Sequence, residues 1–288
     1  VCLANILAGN LDASEFNLES VVVVAKQGGD FTDPADAADW VATQSPGQSN
    51  RFVILVAPGS YTLTRPITLP SYTTLRGYGP ANTVLYRTGG ESAPPYGAVV
   101  SLSGTWYGAI EGFQLTNAYG GSNMAAVIYN DGCYYCELRG SSLRMEQSVM
   151  FGAGIFSFGP VDLKIFDTQI LATQQWASSG TNTTTAGIYM EADAEDFTAV
   201  ITLTNSRVTA SCISGSAGIT REAMGAYLSV DSTSKQIIGD FSRISGGCGT
   251  GEDWYLYRSN SGYGNFTLCY LGGGTNSTAN LSLVGCVP

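Results

Sequence analysis

The densest group of side chains that could do chemistry is a run of carboxylates that includes Glu191, Asp193 and Glu195. Alternate side chains of an extended segment point the same way, so these three would share one side of the chain. Oxygen ligands in this arrangement could bind calcium, and two of them could serve as the acid and base of a glycosidase. Other repeats carry Asn or Asp at the equivalent place, which favours a solvated turn. We therefore assign no catalytic residue, metal or cofactor, and keep calcium at these carboxylates as the alternative.

The sequence contains no histidine, so Ser-His-Asp, Cys-His and His-zinc chemistry are excluded. A lysine-based lyase needs a lysine beside acidic calcium ligands, but Lys26, Lys164 and Lys235 lie in different repeats without such a set. The formal charge of −10 argues against a nucleic-acid partner, because phosphate binding needs clustered cations. No apolar run is long enough to cross a bilayer, so we expect no membrane span.

Two pairs of aromatic residues, Trp106-Tyr107 and Tyr134-Tyr135, occupy the same position in consecutive repeats. Stacking of the repeats would bring the two pairs together on one side of the molecule. Such a patch can contact sugar rings or form the centre of a protein interface. It can also simply pack over a loop. The sequence leaves these three alternatives open.

The cysteines indicate where covalent links could form. Cys212 and Cys248 each lie six residues after the serine of a Ser-Arg bend in adjacent repeats, so stacking would place them one strand spacing apart, within reach of a disulfide. We expect Cys269 and Cys286 to pin the C-terminal tail, and Cys2 to remain unpaired or to bond to another chain. The remaining pair, Cys133 and Cys136, has the spacing of a redox motif, but it falls in a strand and not at a helix N-terminus, so we expect no activated thiolate.

Seven cysteines and four Asn-x-Ser/Thr sequons are typical of an oxidising compartment outside the cytoplasm. The chain begins at Val1, which we interpret as the start of a mature protein after removal of a targeting segment. We therefore expect a secreted protein, extracellular or at the cell surface.

The elements that must position these residues are short strands in a repeat. A six-residue pattern of two small or tolerant residues followed by two large apolar ones recurs at intervals of 28, 28, 33, 39 and 28 residues, starting at Gly97, Ala125, Ala153, Ala186, Gly225 and Asp253. Equal intervals with occasional insertions are typical of a coil that stacks on itself. We expect one interior column of Val99, Val127, Ile155 and Ile188, and a neighbouring one of Val100, Ile128, Phe156 and Tyr189. Each coil would bend at Asn117, Gly140, Asp167, Asn205 or Asp240, because Asn, Asp and Gly tolerate a left-handed backbone.

The N-terminal region resembles the pectin lyase-like superfamily of right-handed parallel β-helices. The resemblance rests on the strand at Val21, a short helix predicted at about 34 to 43, the run from Phe52 to Tyr61, and Thr74-Leu-Arg-Gly-Tyr-Gly79, which look like the opening cap and first coil of pectinesterases. It implies an all-β, single-stranded right-handed parallel β-helix over residues 21–288, with residues 1–20 as an N-terminal arm or cap. Of the family's catalytic motifs, only the segment around Asp167 comes near one, and that residue falls at a bend, so no esterase site is carried over.

Missing catalytic motifs, low charge and an N-terminal arm favour a non-catalytic extracellular structural protein. Our leading hypothesis from the sequence is a self-assembling surface fibre or sheath subunit, or an adhesin, whose partner is another copy of the chain. The alternatives are a carbohydrate-active enzyme, such as a pectinesterase, polysaccharide lyase or glycosidase, and a glycan-binding module like those of phage tailspikes. Both alternatives would have a polysaccharide as the partner.

Overall fold

The structure is a computed structural model of the chain, and it describes residues 20–119, 123–147, 151–174, 183–191, 199–212, 221–230, 235–240, 243–248, 253–260, 263–267, 270–272, 274–276 and 281–284. The chain winds through three parallel ladders of strands, here called the first, second and third faces. The first and second faces are joined into one 16-stranded sheet by two long strands, and the third face is a separate 8-stranded sheet. The predicted parallel β-helix is thereby confirmed.

The first face is a parallel ladder that starts at a two-residue strand near the N-terminal end. Its strands are β4 (Ile67–Thr68), β7 (Val100–Ser101), the first half of β10 (Met124–Arg139), the first half of β12 (Phe151–Phe166), β14 (Thr183–Glu191), β17 (Arg221–Val230), β20 (Asp253–Asn260) and β23 (Gly274–Asn276).

The second face begins with the first strand of the chain and shares β10 and β12 with the first face. Its strands are β1 (Ser20–Val24), β2 (Phe52–Val56), β5 (Thr73–Arg76), β8 (Ala109–Glu111), the second halves of β10 and β12, β15 (Ala199–Thr204), β18 (Lys235–Asp240), β21 (Tyr263–Thr267) and β24 (Leu281–Val284).

The third face closes each coil. Its strands are β3 (Gly59–Thr62), β6 (Thr83–Arg87), β9 (Gln114–Asn117), β11 (Ser142–Gln147), β13 (Gln169–Gln174), β16 (Arg207–Cys212), β19 (Arg243–Cys248) and β22 (Tyr270–Gly272). Parallel pairing buries apolar columns between the faces, where Ile54, Leu75, Ile110 and Leu138 are fully buried.

The interior columns of the first face differ from the prediction by one residue. The register pairs Val100 with Ile128 and Ile128 with Ile155, so Val127 and Ile155 do not share a column. Phe156 pairs with Tyr129 and lies in a cluster outside the interior core. The predicted columns were wrong at this step because Val127 and Ile128 are both fully buried, so the sequence has no alternation there to fix the register.

The corner between the second and third faces is a single residue with a left-handed backbone. Gly140, Asp167 and Asn205 have positive φ, as predicted, and the Asn205 Nδ2 donates to the Asp167 Oδ1 over 2.6 Å. Two predicted corner residues were wrong. Asn117 ends β9 and is fully buried, while Gly112 makes that corner with a φ of 72°. Asp240 pairs with Thr204, which places it in the strand, one residue before the corner.

The helix predicted at 34 to 43 is confirmed as α1 (Pro34–Thr43). Asp33 caps it by accepting a hydrogen bond from the Ala35 amide, and Pro34 occupies the first turn, where no amide is needed. Ala37 and Val41 are fully buried beneath it. The helix covers the end of the apolar interior near β1 and β2.

Residues 1–19, and with them Cys2 and the predicted N-terminal arm, lie outside the described residues. The boundary between arm and β-helix therefore stays a prediction. None of the described helices is long and apolar enough to cross a membrane.

Candidate functional site

The predicted aromatic patch is the most distinctive surface feature of the described chain. Trp106 stacks on Tyr134 with ring centroids 4.5 Å apart, and Tyr107 stacks on Tyr135 at 4.9 Å. The stacking extends one coil further than predicted, because Tyr72 lies 5.2 Å from Tyr107. We call these five rings the aromatic ladder. It rises through three consecutive coils at the corner between the first and second faces.

The corner holds the ladder by backbone hydrogen bonds between successive coils. The Tyr72 amide donates to the Trp106 carbonyl over 2.7 Å, and the Tyr107 amide donates to the Tyr134 carbonyl over 2.9 Å. The Trp106 amide donates to the Ser71 hydroxyl over 3.0 Å. These bonds keep the rings in register at the spacing of adjacent strands.

Three rungs of the ladder share an unfavourable backbone conformation. Tyr72, Tyr107 and Tyr135 have φ values of 55°, 53° and 56°. A bulky residue rarely adopts a positive φ, and each instance costs on the order of 1 kcal/mol or more. Tyr72 was missed because no second aromatic precedes it, but its place immediately before a Thr-Thr-Leu strand was a usable signal.

The ladder is open to solvent. Trp106, Tyr107 and Tyr135 are 44%, 43% and 50% exposed, while Tyr72 and Tyr134 are half-buried. Because the rings stack on one another, they partly cover the faces of their neighbours. Such rings combine an apolar body with a hydrogen-bonding group, which suits contact with a ligand that is apolar on one side and polar on another.

Paired charges lie on the second face, two to four residues after the ladder tyrosine of the same coil. Arg76 bonds to Glu111 at 2.8 Å, and Arg139 bonds to Glu137 at 2.7 Å. The register places Lys164 beside Glu137 in the next coil, and within the described residues Lys164 makes no ion pair. The Arg139 guanidinium also lies 4.3 Å above the Phe166 ring. The strip beside the ladder therefore offers hydrogen-bonding groups whose charges largely cancel.

A second aromatic cluster covers the outside of the first face. Tyr129 and Phe156 stack 6.0 Å apart and are almost fully buried, because Tyr96 packs on Phe156 at 4.9 Å and Phe151 packs on it at 5.8 Å. Tyr96 belongs to residues 88–98, here called the strap. Burial, followed by the charge of Asp131, raises the pKa of Tyr129, whose hydroxyl donates to the Asp131 carboxylate over 3.5 Å. Phe156 therefore lies outside the interior column in which it was predicted.

The predicted carboxylate group is only partly described. Glu191 ends β14 and pairs with Phe158 of β12, while Asp193 and Glu195 lie outside the described residues. Among the residues that the structure describes, no three His, Cys, Asp or Glu side chains come together as a metal site. The calcium alternative therefore stays a prediction.

The predicted disulfide partners Cys212 and Cys248 are directly opposite each other in the register of β16 and β19. The backbone thus places them one strand spacing apart, as expected, although their side chains belong to the part of the chain that is not described. Cys269 and Cys286 also lie outside the described residues, so the bridges themselves stay predictions.

No family model and no curated protein matches the sequence. Solved structures do match the fold. A pectin methylesterase from carrot has a TM-score of 0.57 at 15% identity, covering 91% of this chain and 88% of its own. An alginate lyase from Paenibacillus sp. str. FPU-7 has a TM-score of 0.50 at 15% identity, covering 93% and 94%. At these identities the comparison shows the fold, which is the pectin lyase-like parallel β-helix.

These comparisons contradict the leading hypothesis from the sequence. The neighbours are carbohydrate-active enzymes, and none of those reported is a fibre subunit, a sheath protein or an adhesin. The non-catalytic structural hypothesis was therefore wrong. It relied on missing catalytic motifs, but a motif identifies only one arrangement of a site, whereas the fold accommodates many.

Proposed function

We propose that this protein is a carbohydrate-active protein of the extracellular space that binds a polysaccharide chain along the aromatic ladder. The observation that carries the proposal is the exposed stack of Tyr72, Tyr107 and Tyr135 beside the Trp106–Tyr134 pair. The fold supports the proposal, since the two solved neighbours are named as enzymes that act on pectin and alginate. The seven cysteines and the sequons support the extracellular setting.

The ladder suits a long ligand better than a compact one. Its rungs repeat with centroid spacings of 5.2 and 4.9 Å between the three tyrosines, so a chain molecule lying parallel to the axis of the β-helix meets the same groups repeatedly. Apolar C–H groups of sugar rings would contact the aromatic edges and the outermost ring. Sugar hydroxyls would bond to the tyrosine hydroxyls and to the flanking Arg76, Glu111, Glu137 and Arg139.

The charge distribution selects among polysaccharides. The whole chain carries a formal charge of −10, which repels polyanions, and the cations beside the ladder are mostly neutralised by Glu111 and Glu137. We therefore expect the ligand to have a low charge density. Highly methyl-esterified pectin is the first candidate, and polygalacturonate and alginate should bind more weakly.

The test is calorimetric titration of the protein with these three polysaccharides, together with assays for released methanol, new reducing ends and unsaturated products. Tyr107→Ala removes the central rung and should weaken binding about tenfold, because it deletes the ring contacts on both sides. Tyr78→Ala is the matched control, since Tyr78 is 52% exposed but lies outside the ladder.

Equal affinity of Tyr107→Ala and the unaltered protein would contradict the proposal, and so would the absence of binding to every polysaccharide. The other use of an exposed aromatic patch is an interface between copies of the chain. In that case light scattering would show a concentration-dependent dimer that Tyr107→Ala abolishes, and the ladder would have to be reassigned.

A further inference from the structure

The last two residues of the ladder lie, in the sequence, between two cysteines with buried thiols. Cys133 and Cys136 flank Tyr134 and Tyr135, and both cysteine side chains are fully buried in the interior core. The two sulfurs therefore face inward while the two aromatic rings between them form part of the surface ladder. Both thiols are reduced in the structure.

The preceding coil shows how closely the two positions that Cys133 and Cys136 occupy approach each other. Thr105 and Gly108 stand there in place of Cys133 and Cys136, and Tyr107 has nearly the same φ as Tyr135. A Cβ atom placed on Gly108 would lie only 2.6 Å from the Thr105 Cγ2. Side chains at these two positions thus point at each other at close range. A disulfide needs Cβ atoms about 3.5 to 4.5 Å apart, and the close approach of the two side chains is compatible with that spacing.

In the reduced pair, each thiol also shifts the pKa of the other. A hydrogen bond from Cys133 lowers the pKa of Cys136, and the same bond, with burial, raises the pKa of Cys133. The other thiol is the largest cause of each shift, so the two side chains lie in contact in the reduced protein.

We propose that Cys133 and Cys136 form a disulfide that closes the corner of the coil and fixes Tyr134 and Tyr135 in the aromatic ladder. One of the two thiolates attacks a sulfur of a small-molecule or protein disulfide and displaces one thiolate. The other cysteine then loses its proton and attacks the protein sulfur of the mixed disulfide, displacing the second thiolate. The protein loses two electrons and two protons, and the external disulfide is reduced to two thiols.

The burial of both sulfurs sets when this reaction takes place. An oxidant cannot reach a fully buried pair, so the bond forms during folding, before the neighbouring coils close over the corner. Once formed, it is protected from reductants by the same burial. It then restricts the backbone around Tyr134 and Tyr135.

Peptide mapping tests the bond itself. Trypsin cleaves after Arg87 and Arg139, and the peptide between these points contains Cys133 and Cys136 and none of the other cysteines. Protein refolded with oxidised glutathione, denatured and alkylated without reductant should yield this peptide unalkylated and lighter than its reduced form by two hydrogen atoms. Alkylation of both cysteines under these conditions would overturn the proposal. In Cys136→Ser, the remaining Cys133 should be alkylated, which shows that the reagent reaches this position.

The effect on the ladder is measured separately and rests on the proposed function. Protein refolded under reducing conditions should bind the polysaccharide several-fold more weakly than oxidised protein. The double variant Cys133→Ala/Cys136→Ala should bind equally under both conditions, which separates this bond from the other cysteines. Equal affinity of oxidised and reduced unaltered protein would overturn the role in the ladder. A peptide that is oxidised in a protein that binds no polysaccharide would leave the disulfide established and the proposed function rejected.

Discussion

Single residues carry the strain of this fold at two corners. The corner of the aromatic ladder uses tyrosine at positive φ in three coils, whereas the corner between the second and third faces uses Gly112, Gly140, Asp167 and Asn205. Glycine, Asp and Asn adopt this conformation more readily than tyrosine does. The ring stacking and the hydrogen bonds between coils must compensate for it. The repeated strain coincides with the exposed ring stack, which agrees with the tendency of strained backbone to cluster at functional sites.

At the same scale, we expect the ionisation of Tyr129 to lower the free energy of unfolding at alkaline pH. Its pKa is raised in the folded protein by burial, whereas the unfolded chain loses this proton near the ordinary tyrosine value of about 10. The stabilising contribution is complete below that pH and is lost as the pH rises above it. Denaturant unfolding at pH 8 and pH 11 should show a smaller loss for Tyr129→Phe than for the unaltered protein.

The size of this difference has an upper bound of about 1.4 kcal/mol for each pH unit above the unfolded pKa. Tyr78→Phe is the control, because this exposed ring has no comparable burial. If Tyr129→Phe loses as much stability between the two pH values as the unaltered protein, the burial of Tyr129 does not control its titration.

At the scale of elements, the strap is held by polar side chains that reach it from the body of the β-helix. The Asn117 Nδ2 lies 2.8 Å from the Gly89 carbonyl, 2.9 Å from that of Gly97 and 2.8 Å from that of Ala126. Arg87 adds a bond of 2.7 Å to the Ala98 carbonyl. The strap in turn covers Tyr129 and Phe156. Asn117 therefore links the strap to the third face and to the first face.

Replacing this residue should release the strap. Asn117→Ala leaves buried carbonyls without a donor and should lower the free energy of unfolding by about 3 kcal/mol. Asn123→Ala is the matched control, since Asn123 is half-buried and makes one weak bond of 3.4 Å to the Gly90 carbonyl. It should cost less than about 1 kcal/mol. The measurements are denaturant unfolding and limited proteolysis within 88–98, and similar results for both variants would contradict this role.

The same residue shows what a sequence pattern can and cannot predict about elements. Asn117 follows an apolar run, as corner residues do, so the pattern predicted a bend. Its buried amide serves a loop that approaches from another part of the chain, and such long-range contacts leave no local signal. The helix at Pro34–Thr43 was predictable because its cap and its proline are local features. The aromatic pairs were predictable because they repeat with the coil.

At the scale of the whole molecule, each coil packs mainly on the coils before and after it, so damage should stay local. Ile155→Ala removes a fully buried side chain from the column it shares with Ile128 and Ile188, and should cost about 2 to 5 kcal/mol. Hydrogen exchange should rise most in β10, β12 and β14 and little in β2 and β5.

Lys164→Ala, an exposed position of the same strand, is the control for this experiment. A uniform rise in exchange from β2 to β14 would show that the molecule unfolds as one cooperative unit and not coil by coil. The architecture at this scale followed from the repeat interval and the resemblance of the opening coil. The function did not follow, because the fold serves many chemistries and the chain lacks the motifs that would select one.

The aromatic ladder gains one level of rings with every coil from Tyr72 to Tyr107 and Tyr135. The length of the ladder therefore depends on the number of sequence repeats that carry a tyrosine at this corner. Tandem duplication of one repeat would insert a coil, extend the ladder by one ring and leave the pairing within the other coils as it was. Gain or loss of a repeat would in this way change the length of ligand that contacts the ladder by one ring at a time, with the same type of contact in each coil.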